Sequence, residues 1–312
     1  PFTKGRGSYP PLRKGEALIP LYEREMLFSP FFKGGLRGIF QPFAGCFNHD
    51  SRQFLVARGG RERTVLNKDF DLPETGRTTS APPSSPLVSM RNMFDRLSPF
   101  YDRVNKVISL NRDDYWRRKA AALCGGPARG IALDVATGTG RMALALSARY
   151  ENVVGVDISD KMMAGGREAM QRLPGFSRMN FILADALVAP FPDNTFDAAA
   201  IGFATRNVVD LRGCFREMLR LVKPGGTIVC LELSRPPLKF VDAPYQFYLA
   251  KIVPLLGKVF SGQSRTYKYI FHSLQKFPPA GALKQLMEET GLREVKFRRF
   301  NLGAVAVHWG TK

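Results

Sequence analysis

From Ile131 onward, short apolar runs alternate with stretches whose apolar residues recur at helical spacing. The runs predict strands at 131–135, 152–157, 179–184, 197–202 and 226–233, with helices at 140–149, 160–171 and 210–221 between them. Strands that alternate with helices in this way build a parallel sheet through right-handed crossovers, so the fold class is α/β. Lys223-Pro224-Gly225-Gly226 reads as a helix stop and a turn into the next strand. Upstream, residues 90–123 place Met93, Leu97, Tyr101, Val104 and Val107-Ile108 at helical spacing, then Tyr115-Trp116 and Ala120 to Leu123. After Ser234 the alternation stops. Residues 239–278 are dense in aromatics and aliphatics, which predicts an inserted helical cap. A last helix at 280–290 then leads to strands at 294–300 and 303–309, antiparallel because the turn between them is tight.

Residues 1–86 lack this periodicity. They are rich in Gly, Pro, Arg and Phe and end in Thr78-Thr79-Ser80-Ala81-Pro82-Pro83-Ser84-Ser85-Pro86, a composition of extensions and linkers rather than of a core. The segment is therefore expected to be a disordered N-terminal extension, with the folded domain spanning 87–312. Its basic, Ser-containing character suits an organellar targeting peptide, but Glu16, Glu23, Glu25, Glu62 and Asp69 are many acids for one. A short regulatory tail is the second reading. The favoured reading is an upstream extension that is not translated, with Met90 or Met26 as the start.

A length of 312 residues allows one large or two small domains. Cys46, Cys124, Cys214 and Cys230 have no paired spacing and His49, His272 and His308 are dispersed, so neither a disulfide framework nor a metal site is expected. A reducing, cytoplasmic setting follows, or an organellar one if residues 1–86 target the chain. The net charge of +19 raises nucleic acid or an anionic membrane as partner. The excess is spread from Arg112–Arg118 through Arg212–Lys223 to Arg293–Arg299, mostly as solvated faces, with no basic run interleaved with aromatics. Nucleic acid is thus not favoured. No stretch approaches the ~18–20 apolar residues of a membrane-spanning helix, which leaves a peripheral contact with the inner membrane open, as it does a homodimer.

The chemistry begins at Ala132-Leu133-Asp134-Val135-Ala136-Thr137-Gly138-Thr139-Gly140, an apolar strand with an acid, then a small Gly-rich turn into a helix. A second strand ends in Asp157. Such a turn lets main chain approach a nucleoside cofactor, and the second acid can accept from ribose hydroxyls. A dinucleotide would want a third glycine, where Met142 and Ala143 stand, and Asp134 would repel a diphosphate. A cofactor without phosphate and with a cationic centre, S-adenosylmethionine, matches better. The plain alternative is a tight strand-to-helix turn with no ligand. Asp185 and Ala186 end the third strand, where a carboxylate can accept from an adenine amine, and Gly202-Phe203 ends the fourth at the same sheet edge.

Several further motifs resemble the quinone C-methyltransferases of menaquinone and ubiquinone biosynthesis. They are Phe94-Asp95-Arg96-Leu97-Ser98-Pro99-Phe100-Tyr101-Asp102-Arg103-Val104-Asn105, the Gly138-Thr139-Gly140 turn, Pro190-Phe191-Pro192-Asp193-Asn194-Thr195-Phe196-Asp197, Phe203-Ala204-Thr205-Arg206-Asn207-Val208, and Leu231-Glu232-Leu233-Ser234-Arg235-Pro236. The resemblance covers residues 90–312 and implies a class I S-adenosylmethionine-dependent methyltransferase. Its fold is a seven-stranded, mostly parallel sheet with helices on both faces and an antiparallel C-terminal hairpin. It implies cofactor contacts at Thr139, Asp157, Asp185, Ala186 and Gly202, the last through main chain only; the turn reading adds Asp134 and Gly138.

The acceptor implied is a polyprenyl quinol. Demethylmenaquinol is the first choice and 2-methoxy-6-polyprenyl-1,4-benzoquinol the second. Methylating a ring carbon requires two reactants held at attack distance, a stabilised oxyanion and a route for the ring proton. Arg206 is the candidate at the quinol oxygen, because a guanidinium stays charged and offers a fork of donors; its plain alternative is a surface ion pair. Asn207 is the candidate to orient it, and Tyr101 to contact the quinol or the sulfonium, with packing as its alternative. The cap's aromatics suit an isoprenoid tail, and Lys239, Lys251, Lys258 and Lys268 suit lipid head groups. Rival functions are methylation of another small molecule or RNA, and a non-catalytic cofactor-binding subunit of a biosynthetic assembly.

Overall fold

The computed structural model of the chain describes residues 53–58, 61–66 and 86–312. Within the segment expected to lack structure, strands β1 (Gln53–Arg58) and β2 (Arg61–Leu66) form a two-stranded sheet. The alternation in Gln-Phe-Leu-Val-Ala-Arg and Arg-Glu-Arg-Thr-Val-Leu was too short to stand out against its Gly- and Arg-rich surroundings. The rest of residues 1–85, including the proposed start at Met26 and the targeting reading, lies outside the described residues, whereas Met90 lies within a helix.

Three helices precede the main sheet: α1 (Pro86–Leu97), α2 (Tyr101–Ile108) and α3 (Asp113–Ala121). The sheet then alternates β3 (Ile131–Val135), α4 (Arg141–Leu146), β4 (Asn152–Asp157), α5 (Asp160–Met170), β5 (Met179–Leu183), β6 (Phe196–Gly202), α6 (Leu211–Leu221) and β7 (Val222–Leu233). The cap follows as α7 (Lys239–Phe247), a π turn (Tyr248–Ile252), α8 (Val253–Ser261) and α9 (Ser264–Lys276). Then α10 (Ala280–Glu289), β8 (Arg293–Phe300) and β9 (Val305–Thr311) complete the chain.

The seven strands lie in the order β5-β4-β3-β6-β7-β9-β8. The first five are parallel, and β9 and β8 run antiparallel beside them. This is the α/β arrangement expected. One end of β7 departs from expectation: Lys223-Pro224-Gly225-Gly226 is not a turn before the strand but part of it. Phe196 pairs with Val222 and Ala198 with Thr227, so the four residues bulge out of the ladder. Gly225 at φ 76° allows the bulge.

Strands β3 and β6 are buried on both faces, which is why they read as continuous apolar runs rather than alternating ones. On one face Ala132, Ala198, Ala200, Val229 and Leu231 pack with Trp116 and Ala120 of α3, Met142 and Leu146 of α4 and Met170 of α5. The intervening residues Leu133, Ala199, Ile201, Ile228 and Cys230 are equally buried. Helix α6 packs against β7, with Cys214, Phe215, Met218 and Leu221 on its buried side and Asp210 capping its start by accepting from Gly213 N at 2.9 Å. A second, separate cluster joins α1 and α2 to the cap through Leu97, Val104, Leu249, Val253, Tyr267 and Leu274.

Candidate active site

The chain order reverses direction between β3 and β6, since β4 lies beyond one and β7 beyond the other. Ligands of open α/β sheets bind in the crevice outside such a point. A cleft is found there, walled by the turn after β3, by Asp157 after β4, by Asp185 and Ala186 after β5 and by Gly202 and Phe203 after β6. Leu87, Met90 and Phe94 of α1 and Tyr101 of α2 close it from above.

The main chain at this edge is bent sharply. Ala136 after β3 has φ 53° and Phe203 after β6 has φ 59°, alongside Gly138 at 56° and Gly140 at 80°. Left-handed backbone at two residues with a Cβ is uncommon and concentrates at functional sites. Gly166 of α5 sits so close to the turn that a Cβ there would lie 2.1 Å from Thr139 O.

Two carboxylates hold the turn in this shape. Asp134 lies beneath it, fully buried, with Oδ2 accepting from Thr137 Oγ1 at 2.5 Å and from Ala143 N at 2.8 Å. It is therefore not a wall residue of the cleft. Its Oδ1, however, is buried with no partner, a free acceptor directly under the turn. Burial pushes its carboxyl up to about 7, against the lowering effect of Thr137, Ala143 and Arg117. Asp157 does reach the cleft: Oδ2 accepts from Gly138 N at 2.7 Å and Oδ1 from Ser159 N at 2.8 Å. Each oxygen keeps a lone pair free to accept a further hydrogen bond. Asp185 Oδ1 accepts from Leu187 N at 2.9 Å, which fixes that carboxylate at the cleft wall.

Thr139 lines the cleft and also serves a second purpose. Its hydroxyl donates to Asp102 Oδ1 at 2.8 Å, tying α2 to the turn. Two further bonds draw α1 down over the cleft: Ser159 Oγ donates to Asp95 Oδ1 at 2.5 Å, and Ser98 Oγ to Lys161 O at 2.8 Å. Asp95 and Asp102 both lie in the Phe94–Asn105 motif, whose pattern marked them without revealing which groups they hold.

Beyond Tyr101, Arg117 and Phe203, which line both spaces, lies a second cavity of about 420 Å³. Its lining is mostly apolar or aromatic, including Ile108, Leu233, Tyr245, Tyr248, Leu249 and Ile270, with Asn105, Ser109, Asp113 and Asn301 as polar members. Its polar end holds Arg206. This residue is not a surface ion pair: the guanidinium is buried and donates to Glu232 Oε1 at 2.5 Å and to Phe203 O at 2.9 Å. Glu232 also accepts from Thr205 Oγ1 at 2.9 Å and from Arg206 N at 3.2 Å. Arg206 Nε and Asn207 Oδ1 are both buried with no partner. Asn207 lines the first cleft and Arg206 the second cavity, so the Arg-Asn pair spans the divide between them.

A second buried pair faces it. Arg117 donates to Asp113 Oδ2 at 2.9 Å and lies 5.0 Å from the centre of the Phe203 ring. Within Arg112–Arg118 it is thus a core residue rather than part of a solvated face. Tyr101 stands between the guanidinia; burial raises its phenol, while Arg117 and Arg206 oppose the rise. Sequence reasoning missed Glu232 and Arg117. Glu232 pairs with a residue on another strand end, and Arg117 sits in a basic run that resembles an exposed helix.

A cleft at the sheet edge that shares Tyr101, Arg117 and Phe203 with a second cavity can be set beside known proteins. The sequence pattern of the ubiE/COQ5 methyltransferase family matches residues 85–312. The chain belongs to the ubiE/COQ5 methyltransferase family. It is 38% identical over 237 residues to a demethylmenaquinone methyltransferase of Roseiflexus sp. strain RS-1, covering 75% of this chain and 98% of that one. It is 38% identical over 226 residues to the ubiquinone/menaquinone biosynthesis C-methyltransferase UbiE of Geobacter sulfurreducens, covering 72% and 88%. A crystal structure of an S-adenosylmethionine-dependent methyltransferase from Thermotoga maritima shares the fold. It has a TM-score of 0.51 and 22% identity, and the match covers 72% of this chain and 99% of that one. As a member of the ubiE/COQ5 family, the chain is a methyltransferase with a class I sheet.

Proposed function

We propose that this methyltransferase transfers a methyl group from S-adenosylmethionine to a ring carbon of a polyprenyl quinol, demethylmenaquinol before all others. The observation that carries the reading is the shared wall of Tyr101, Arg117 and Phe203, where the donor cleft meets an apolar cavity. When bound, S-adenosylmethionine supplies an electrophilic methyl on a sulfonium. Asp157 takes its ribose, Asp185 and Ala186 its adenine, and the main chain of Gly138, Thr139 and Gly202 approaches its amino-acid end. Asp134 answers the charge there through its free Oδ1. A diphosphate is disfavoured, because the buried Asp134 and the cleft-wall Asp157 flank the turn.

The quinol ring lies at the throat with its tail in the aromatic cavity. Arg206, locked by Glu232, stabilises negative charge on the quinol oxygen, and Asn207 and Tyr101 orient the ring. The ring carbon gains the methyl as the methyl's bond to the sulfonium breaks, leaving S-adenosylhomocysteine as the thioether, and the ring proton passes to solvent or a nearby base. The partners are the quinol and the membrane that dissolves its tail, in a cytoplasmic setting, and nucleic acid is not among them. The name of the Geobacter sulfurreducens relative favours a second acceptor, 2-methoxy-6-polyprenyl-1,4-benzoquinol, served by the same residues.

Labelled S-adenosylmethionine incubated in parallel with demethylmenaquinol, with that benzoquinol and with bulk RNA tests the reading. Label is expected in a quinol and none in RNA; two unlabelled quinols would overturn it.

A further inference from the structure

The helical segment that closes the second cavity has two unlike sides. It runs from Lys239 to Ser261 as α7, the π turn and α8. Tyr245, Tyr248 and Leu249 face the cavity. Phe240, Phe247, Leu255 and Val259 are instead 76, 61, 56 and 69% exposed. Seven residues, two α turns, separate Phe240 from Phe247. Eight separate Phe247 from Leu255, and the π turn between them takes up the additional residue, keeping the stripe on one side. Val259 follows one turn later. Such a stripe exceeds the scattered apolar residues of an ordinary surface.

Its charge points to the occupant. Lys239, Lys251 and Lys258 are exposed along the same stretch, and none of them is in an ion pair among the described residues. Asp242, the sole acid between 239 and 261, is half-buried and accepts from Gln246 Nε2 at 3.0 Å. Against a second copy of the chain, a two-fold contact through this face would set lysines against lysines. Anionic head groups complement the lysines, and the acyl boundary takes the aromatics. No helix among the described residues is long and apolar enough to cross a membrane.

We propose that the outer face of 239–261 lies on an anionic bilayer surface, with the second cavity directly behind it. The proposal deepens the quinol reading, on which it rests for its purpose: an acceptor with a long tail reaches the cavity from the lipid beside it.

Sedimentation of the full chain with phosphatidylcholine vesicles, with and without phosphatidylglycerol, tests the docking. The wild type is expected to pellet with the phosphatidylglycerol vesicles at low salt and to be released by high salt. Phe247→Ser with Leu255→Ser is expected to weaken binding about tenfold, about 1.4 kcal/mol. Lys251→Glu with Lys258→Glu should abolish the preference for phosphatidylglycerol. Leu173→Ser, an exposed apolar residue outside the cap, should bind as the wild type does. Thermal melts matching the wild type exclude misfolding as the cause of any loss.

A wild type that stays in the supernatant, or cap variants that pellet equally well, would overturn the proposal. So would a wild-type dimer that the Ser variants convert to monomers without any vesicle binding. A tail-less, water-soluble quinol separates the two claims. Its methylation should be equal in wild type and cap variants, and its failure in all of them would remove the quinol reading while the vesicle result stood.

Discussion

Asp134 keeps a carboxylate under the Ala136–Gly140 turn at a cost, and the cost has a measurable sign. Burial pushes its carboxyl up to about 7 in the free protein, so below neutrality it is largely protonated. A cationic donor above the turn favours the ionised form and lowers that value, so binding releases a proton at acid pH. Affinity for S-adenosylmethionine should therefore rise with pH up to about 7 and then level off, and Asp134→Asn should flatten the profile. Titration calorimetry from acid to mildly alkaline pH checks this; a wild type with pH-independent affinity would contradict it. Glu232 makes a different demand. It is buried and paired with Arg206. Glu232→Ala leaves a guanidinium unpaired in the interior, expected to cost ~3–5 kcal/mol. Glu232→Gln keeps the acceptor for Thr205 and should cost less. Both variants should lower kcat more than donor affinity, and a change confined to donor affinity would separate Arg206 from the acceptor.

Among the elements, the turn and α5 work as one unit, because Gly166 packs on Thr139 with no room for a methyl group. Gly166→Ala should push the helix off the turn and destabilise by ~1–3 kcal/mol, as overpacking does, with a loss of donor affinity. Gly281 near the start of α10 gives the contrast: a Cβ there meets nothing within 4 Å. Gly281→Ala should stabilise by ~0.4–1 kcal/mol, through the unfolded chain. Chemical unfolding of both variants measures the difference, and equal effects would mean that space at the turn is not the constraint. The elements themselves were legible where one periodicity governed them. Strands β3 to β7 are short apolar runs, and α5 and α6 begin at Ser159 and Asp210, residues suited to capping. What escaped was set by contacts distant in sequence. The left-handed Ala136 and Phe203 carry no glycine to announce them, and Asp102 is recognisable as a partner of Thr139 only once α2 lies over the sheet.

At the scale of the molecule, the gathering of the turn, Asp157 and Asp185 into one cleft was readable, because they come from successive strand ends of a fold whose chain order is regular. The second cavity was readable only in part. Tyr101, Arg206 and Asn207 stood out in motifs, but their partners Glu232 and Arg117 come from β7 and α3, and only the packed sheet brings them together. Each side chain named at the site nevertheless lies between Leu87 and Val305, and the family pattern begins at residue 85. Removing residues 1–84 should therefore leave donor affinity unchanged. The melting temperature should move by less than ~2–4 °C, the shift about 1 kcal/mol produces in a domain of this size. Methylation of a tail-less quinol should persist as well. Loss of donor binding on truncation, with the melt intact, would mean that the N-terminal segment supplies part of the cleft, and the site would then extend beyond the sheet edge that holds Asp157.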